Sequence, residues 1–296
     1  MLVKKSIGER IFDVCNILFM LVLMFVMVVP LWHVLMASFS DSSEIIRASG
    51  SGVMLWPKGF NFDAYKMVAK NPNVFSGYKI TIFVVIFGTA LSLLVTSFGA
   101  YALSRKNVMW KSIINKMIIF TMLFSGGMIP TYIIINNVYH LGNNLLVLIL
   151  PGLVSQYNLM VMRTSFEGIP ESIVESAKVD GANDFTILFK IVYPTSMAII
   201  VVMILFYGVN YWNAWFNAML YIRERRLYPL QLILREILLQ NSTNEMTTGI
   251  TLSDKGNVAE SIKYAVIIVS TLPILCLYPF IQKYFVKGVM IGAVKG

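Results

Sequence analysis

The sequence predicts an all-α membrane protein with six transmembrane helices and both termini in the cytoplasm, an N-in/C-in arrangement. Three observations predict it. Hydrophobic residues make up 57% of the 296 positions and charged ones only 13%, against about 25% charged in ordinary soluble domains. Six apolar runs are each long enough to cross about 30 Å of hydrocarbon at about 1.5 Å per residue. None of these runs alternates as barrel strands do.

In chain order the runs lie at about 14–36, 80–103, 113–135, 145–162, 195–219 and 264–285. The first lacks the small-residue cleavage context of a secretory signal around Cys15, so it is expected to be retained. The third carries Ser125-Gly126-Gly127 and Pro130, which weaken a helix near mid-membrane. The fourth is the shortest and is broken early by Pro151. Orientation follows from basic residues in short loops. Lys4, Lys5 and Arg10 precede the first run, and Arg105, Lys106, Lys111 and Lys116 crowd the second connection. Arg163, Lys178 and Lys190 lie between the fourth and fifth runs, and Lys283, Lys287 and Lys295 close the chain. All of these fall on one side if the chain crosses six times. Segments 37–79 and 220–263 are then long outer loops, and 163–194 is a long inner one. No internal repeat or soluble domain is visible, and 1–296 reads as a single transmembrane domain.

The inner loop predicts two short helices. Pro170 suits a first helical turn, and Glu171 follows where the helix dipole favours an acid. Glu171 and Glu175 share a face, while Ile173, Val174 and Ala177 supply a small apolar surface. Gly181 is a natural stop, and Asp184 is expected to cap the next helix, which runs to Pro194. A stiff helix-turn-helix beneath a membrane bundle implies a docking partner. A helix lying on lipid would want more Lys and Arg and bulkier apolar residues.

Glu175-x-Ala177-x-x-x-Gly181, followed by Ile191-x-Tyr193-Pro194, resembles the "EAA" loop of ATP-binding-cassette (ABC) importer permeases. Ser176 stands where that family usually has Ala, and Asp180-Gly181-Ala182 is similar to its carbohydrate branch. Leu55-Trp56-Pro57-Lys58-Gly59-Phe60, Trp212-Asn213 and the terminus Lys287–Gly296 also resemble sugar permeases, so the likeness covers nearly the whole chain. Phe124–Tyr132 and Leu227-Tyr228-Pro229-Leu230-Gln231 resemble the subgroup that imports fragments of complex, often acidic, polysaccharides. The resemblance implies a type I ABC importer permease fold in the bacterial cytoplasmic membrane. It also implies a second homologous permease completing a heterodimer, two cytoplasmic ATPase subunits and an extracytoplasmic solute-binding protein. Glu171, Glu175, Ala177, Asp180 and Gly181 would couple to the ATPases, which would hold the ATP and Mg. Tyr228 and Gln231 would meet the binding protein.

Polar residues inside a span need a cavity or another helix. Tyr207, Asn210, Asn213 and Asn217 fall on one stripe of a continuous fifth helix, and Ser155, Gln156, Tyr157 and Asn158 mark the fourth. Amides donate and accept together, which suits sugar hydroxyls. Two roles fit the stripe: lining a substrate path, or hydrogen bonding to a partner permease. Trp212 and Trp215 are expected in helix packing or the interfacial belt, and His33 and His140 in structural roles.

The sequence lacks a G-x-x-x-x-G-K-[ST] phosphate loop, so no ATP hydrolysis is expected in this chain. It also lacks a metal-ligand cluster, a nucleophile–base constellation and intramembrane acids of the kind that couple ions. The net charge of +9 follows membrane orientation and outer patches such as Arg223, Arg225 and Arg226 rather than a nucleic-acid surface.

Overall fold

The computed structural model describes residues 6–48, 52–240 and 261–277, with Pro279 and Gln282. The end of the sixth predicted run, residues 241–260 of the second outer loop, the basic residues Lys4, Lys5, Lys283, Lys287 and Lys295, and the Lys287–Gly296 terminus lie outside the described residues. The described residues are helical and contain no strand. They fall into two compact units, one of 1–72 with 236–272 and one of 73–235 with 273–296.

In the first unit, α1 (Ile7–Ser38) is a 32-residue helix opened by a capping box in which Ser6 and Glu9 satisfy each other's backbone N–H. No residue of its most apolar stretch is buried, as a lipid-facing span requires. The chain then folds back through α2 (Ser42–Ala48) and α3 (Asp63–Lys70). Met36, Ala37, Ile45, Ala48 and Met54 form a small core against Leu35 and Tyr264 of α14 (Ser261–Leu277). The Ser42 hydroxyl donates to Ser261 Oγ at 2.9 Å and accepts from the Ser261 N–H at 3.0 Å. His33 Nδ1 accepts the Met54 N–H at 2.9 Å, and its ring meets Tyr264 edge-on. His33 is thus held in a structural role.

The second unit is organised on α4 (Pro72–Ser104), whose buried positions are mostly small or hydroxylated: Gly77, Thr81, Gly88, Ser92, Thr96, Ser97 and Ala100 among them. Small residues let neighbouring helices approach, and hydroxyls find partners across the contact. Ser92 bonds the Tyr211 hydroxyl at 2.8 Å, Thr96 that of Tyr207 at 2.7 Å, and Ser97 that of Tyr193 at 2.7 Å. Thr81 Oγ1 accepts the Leu230 N–H at the start of α13 (Leu230–Gln240).

Among the described residues, two helices are long and apolar enough to cross a membrane unbroken, three of the other predicted runs fall on bent helix pairs, and the described part of the sixth lies in α14. α4 begins at Pro72 rather than near 80, which shortens the first outer loop. The third run is α5 (Lys111–Leu123) and α6 (Met128–Ile133, continued by a π turn to Val138), meeting at 107°. The break falls at Phe124–Gly127, where Gly127 has φ +86°, a conformation glycine adopts without strain. The fourth begins as short 3₁₀ turns, Leu145–Leu148 and Leu150–Gly152, and bends by 51° into α7 (Gln156–Glu167).

The continuous fifth helix expected over 195–219 is corrected by the structure. Helix α9 (Asp184–Ile187) continues through a π turn to Val192 and through α10 (Tyr193–Thr195). This arm then turns by 91° at Ser196 into α11 (Met197–Trp212), and α12 (Phe216–Tyr221) follows separately. Asn213 ends α11, and its side-chain amide bends back to the Val209 carbonyl at 3.0 Å. Asn213 and Asn217 therefore do not extend a stripe on the helix that carries Asn210.

Candidate functional site: a keyed helix and a recess

The inner loop folds as a short helix keyed into the core. α8 (Glu171–Val179) starts just after Pro170, which serves as N-cap rather than as a helical residue. Val174, 3% exposed, and Ala177 are buried among Tyr101, Phe166, Ile187 and Met203 of one apolar cluster. Burying a valine contributes about 1.5–3 kcal/mol. The helix ends in a Schellman motif: Gly181 N–H donates to the Lys178 carbonyl at 3.0 Å and Ala182 N–H to that of Ala177 at 2.9 Å. Gly181 sits at φ +82°, as its role in the sequence requires.

Two ties hold this element from the side. Lys106 is ion-paired with Glu171, whose hydrogen bond and charge hold the ammonium above its ordinary range. The Tyr101 hydroxyl at the end of α4 donates to Asp184 Oδ1 at 3.0 Å. The cap of the following helix falls one residue earlier than expected, because Asn183 Oδ1 accepts the Thr186 N–H at 2.8 Å. Asp184 is thereby left to Tyr101. The opposite face of α8 presents Glu175 and Val179 to solvent, the latter 88% exposed. Asp180 is the exposed C-cap residue.

A second feature lies where α7 begins. A recess of about 500 Å³ is lined by Ser155, Asn158, Leu205, Phe206, Tyr207, Val209 and Asn210. Ser155 caps α7 by accepting the Asn158 N–H, while its own N–H donates to the Tyr207 hydroxyl at 3.1 Å. Tyr207 is buried, and its hydroxyl is shared between Thr96 and this break. It shapes the wall, with its polar atom already engaged. The side-chain amides of Asn158 and Asn210 are engaged by no described residue. The structure thus brings Asn158, Tyr207 and Asn210 together. Gln156 and Tyr157 on the first turn of α7, and Asn213 and Asn217 beyond the end of α11, stand outside the recess lining.

Beyond α12, Asn143 organises the turn that follows. With φ +57°, it donates to Glu224 Oε1 at 2.9 Å, and its Oδ1 accepts the N–H groups of Arg223 and Glu224. Glu224 is also paired with Arg226, and these two contacts hold its carboxyl below the usual range. Arg223, Arg225 and Arg226 are exposed, and Tyr228 and Gln231 lie just beyond, half-buried. Sequence reasoning missed Asn143, Tyr101 and Lys106, whose partners are far away in the chain. Trp212 is buried against Tyr78, and the Arg235 guanidinium stacks on Trp215, so both tryptophans serve packing.

The described residues, all helical where they form regular structure, combine an exposed apolar span, bent apolar helix pairs around a recess and a short helix keyed into their core, the architecture of a membrane transport subunit. No protein-family model matches the chain. It is 38% identical over 293 residues to the polygalacturonan/rhamnogalacturonan transport system permease protein YtcP of Bacillus subtilis, covering 97% of this chain and 99% of that protein. It is 25% identical over 298 residues to the arabinooligosaccharides transport system permease protein AraQ of the same organism, covering 100% of both. A chain in the crystal structure of a bacterial ABC transporter involved in the import of the acidic polysaccharide alginate is similar with a TM-score of 0.83 at 28% identity, covering 95% of this chain and 99% of that one. The chain belongs to the family of ABC sugar-transport permeases, which are cytoplasmic-membrane subunits working with ATPase and binding-protein components.

Proposed function

We propose that this permease carries an acidic oligosaccharide derived from a polysaccharide, crossing the membrane six times with both termini inside. The observation that carries the transport reading is α8, with Val174 and Ala177 buried in the permease core and Glu175 and Val179 turned outward. Motion imposed on the outer face must pass to α4 and α11, because the inner face shares their core. Glu171, Glu175, Ala177, Asp180 and Gly181 form the coupling element toward two ATPase subunits, which hold ATP and Mg. Asn158 and Asn210, with Tyr207 as a wall, form a sugar-facing part of the path. Gln156, Tyr157, Asn213 and Asn217 would join it only through rearrangement of the breaks at 153–155 and 213–215. Tyr228 and Gln231 meet the binding protein.

The acidic character rests on two supports. Two of the three relatives named above belong to systems for polygalacturonan/rhamnogalacturonan and for alginate, and the third to one for arabinooligosaccharides. Arg223, Arg225 and Arg226 are exposed, Arg226 being paired with Glu224, and the net positive charge of this segment would draw an anion over a Debye length of about 8–10 Å. Pairing with a second permease is supported by an apolar recess of about 450 Å³ lined by Val85, Thr89, Gly208, Trp212 and Ile274 among others, where the Thr89 hydroxyl is buried with no partner among the described residues; that the second permease differs from this chain is what the family resemblance implies. Affinity purification from the native membrane is expected to recover one further permease and two ATPase copies per chain. Recovery of a transport-active homodimer without ATPases would refute the assembly.

A further inference from the structure

The end of α1 carries an aromatic cluster that the transport reading leaves unused. The Phe39 ring lies 5.6 Å from Phe60, 5.5 Å from Phe62 and 5.1 Å from Tyr65, centroid to centroid. The Tyr65 hydroxyl is fixed to Ser38 Oγ at 2.7 Å. Trp32 Nε1 donates to the Leu55 carbonyl at 2.9 Å, pinning the neighbouring Trp56. Despite this rigid arrangement the cluster is not covered: Trp56 is 74% exposed, Phe60 61% and Phe62 49%. Packed rings left in water are costly, and a contiguous exposed apolar patch marks a surface that meets something else.

Chain continuity says what that is. α1 has 32 residues and so spans about 48 Å at about 1.5 Å per residue, enough for the hydrocarbon and both headgroup layers, about 40–45 Å together. Its exposed apolar surface runs to Trp32, its last residues Met36–Ser38 are buried, and the cluster begins directly after them at Phe39. The rings therefore sit at headgroup depth, where tryptophan and tyrosine partition with their apolar bodies toward the acyl chains. Lys58 is exposed between Trp56 and Phe60 in sequence, able to place its ammonium among phosphates. We propose that residues 39–48 and 52–65 form an interfacial collar, seated in the lipid headgroup layer, that fixes the depth of the first span. The proposal rests on α1 being a membrane span. It leaves contact with the binding protein to the segment carrying Tyr228 and Gln231.

The test uses the full transporter assembly in phosphatidylcholine–phosphatidylglycerol vesicles. Cys15 and Cys276 are first replaced by serine. Spin labels then go on single cysteines made by Trp56→Cys, Leu55→Cys and Phe60→Cys, with Leu21→Cys as the membrane reference and Arg223→Cys as the water reference. Collision with oxygen relative to a nickel chelate reports depth. At Trp56 and Phe60 the ratio is expected to exceed that at Arg223 at least about three-fold, and to fall short of that at Leu21. A ratio at all three collar sites equal to that at Arg223, with Leu21 oxygen-rich, overturns the collar alone. Shielding that appears only when binding protein is added also overturns it and assigns the patch to that protein. A water-like ratio at Leu21 itself would remove the span on which the collar depends. Leu55 and Trp56 are exposed and outside the ring stack, so their labels read depth even if the Phe60 variant is disturbed.

Discussion

Replacing Gly181 by valine is expected to lower substrate-stimulated ATP hydrolysis and transport together by about ten-fold or more, with membrane insertion unchanged. A Cβ added at this position would meet no neighbouring atom within 4 Å, so the site is open in space. The cost lies in φ +82°, which costs about 1–2 kcal/mol for ordinary L-residues and more for β-branched ones. Relieving it means abandoning the Schellman turn, which re-aims α8 and misplaces Glu175. Gly181→Asn should retain much of the coupling, because asparagine tolerates the left-handed region. The check is ATPase activity of the reconstituted assembly with each variant at matched incorporation. Normal stimulation in Gly181→Val would remove this turn from the transmission path.

The second large effect is expected in the recess. Asn158→Leu combined with Asn210→Leu removes both unengaged amides while nearly preserving volume. A sugar hydroxyl bound to an amide gains about 0.5–1.5 kcal/mol net per hydrogen bond. The single changes should therefore slow uptake by about three- to ten-fold, and the pair by at least about ten-fold. Asn213→Ala should behave differently: its amide caps α11 through Val209, so a loss of thermal stability is expected without a change in sugar preference. Uptake of labelled oligosaccharide at matched expression, with melting of the purified assembly, separates the two. Wild-type uptake in the double variant would move Asn158 and Asn210 from the path to a helix contact.

What could be read from the sequence was mostly local. α1 and α4 were visible as uninterrupted apolar runs, and the break at 124–127 was announced by Ser-Gly-Gly followed by Pro130. The α8 element was legible because Pro170, Glu171 and Gly181 act through their own backbone. The cap was misplaced by one residue because Asn183 and Asp184 are both good caps, and the choice depends on Tyr101, more than 80 positions upstream. The end of α11 carried no glycine or proline, so a continuous helix was the natural reading of Asn210 through Asn217. The recess required the Ser155–Tyr207 pairing, which no periodicity reveals.

The most direct measurement is ATP-dependent uptake into proteoliposomes holding this chain, its partner permease, the ATPases and the binding protein. An oligogalacturonide is to be compared with a neutral oligosaccharide of equal length. Uptake is expected only with ATP and with a preference for the acidic sugar, and that preference is expected to weaken at low salt when Arg223, Arg225 and Arg226 are replaced by glutamine. Equal uptake of both sugars would contradict the acidic assignment, and uptake without ATP or ATPases would contradict the function itself.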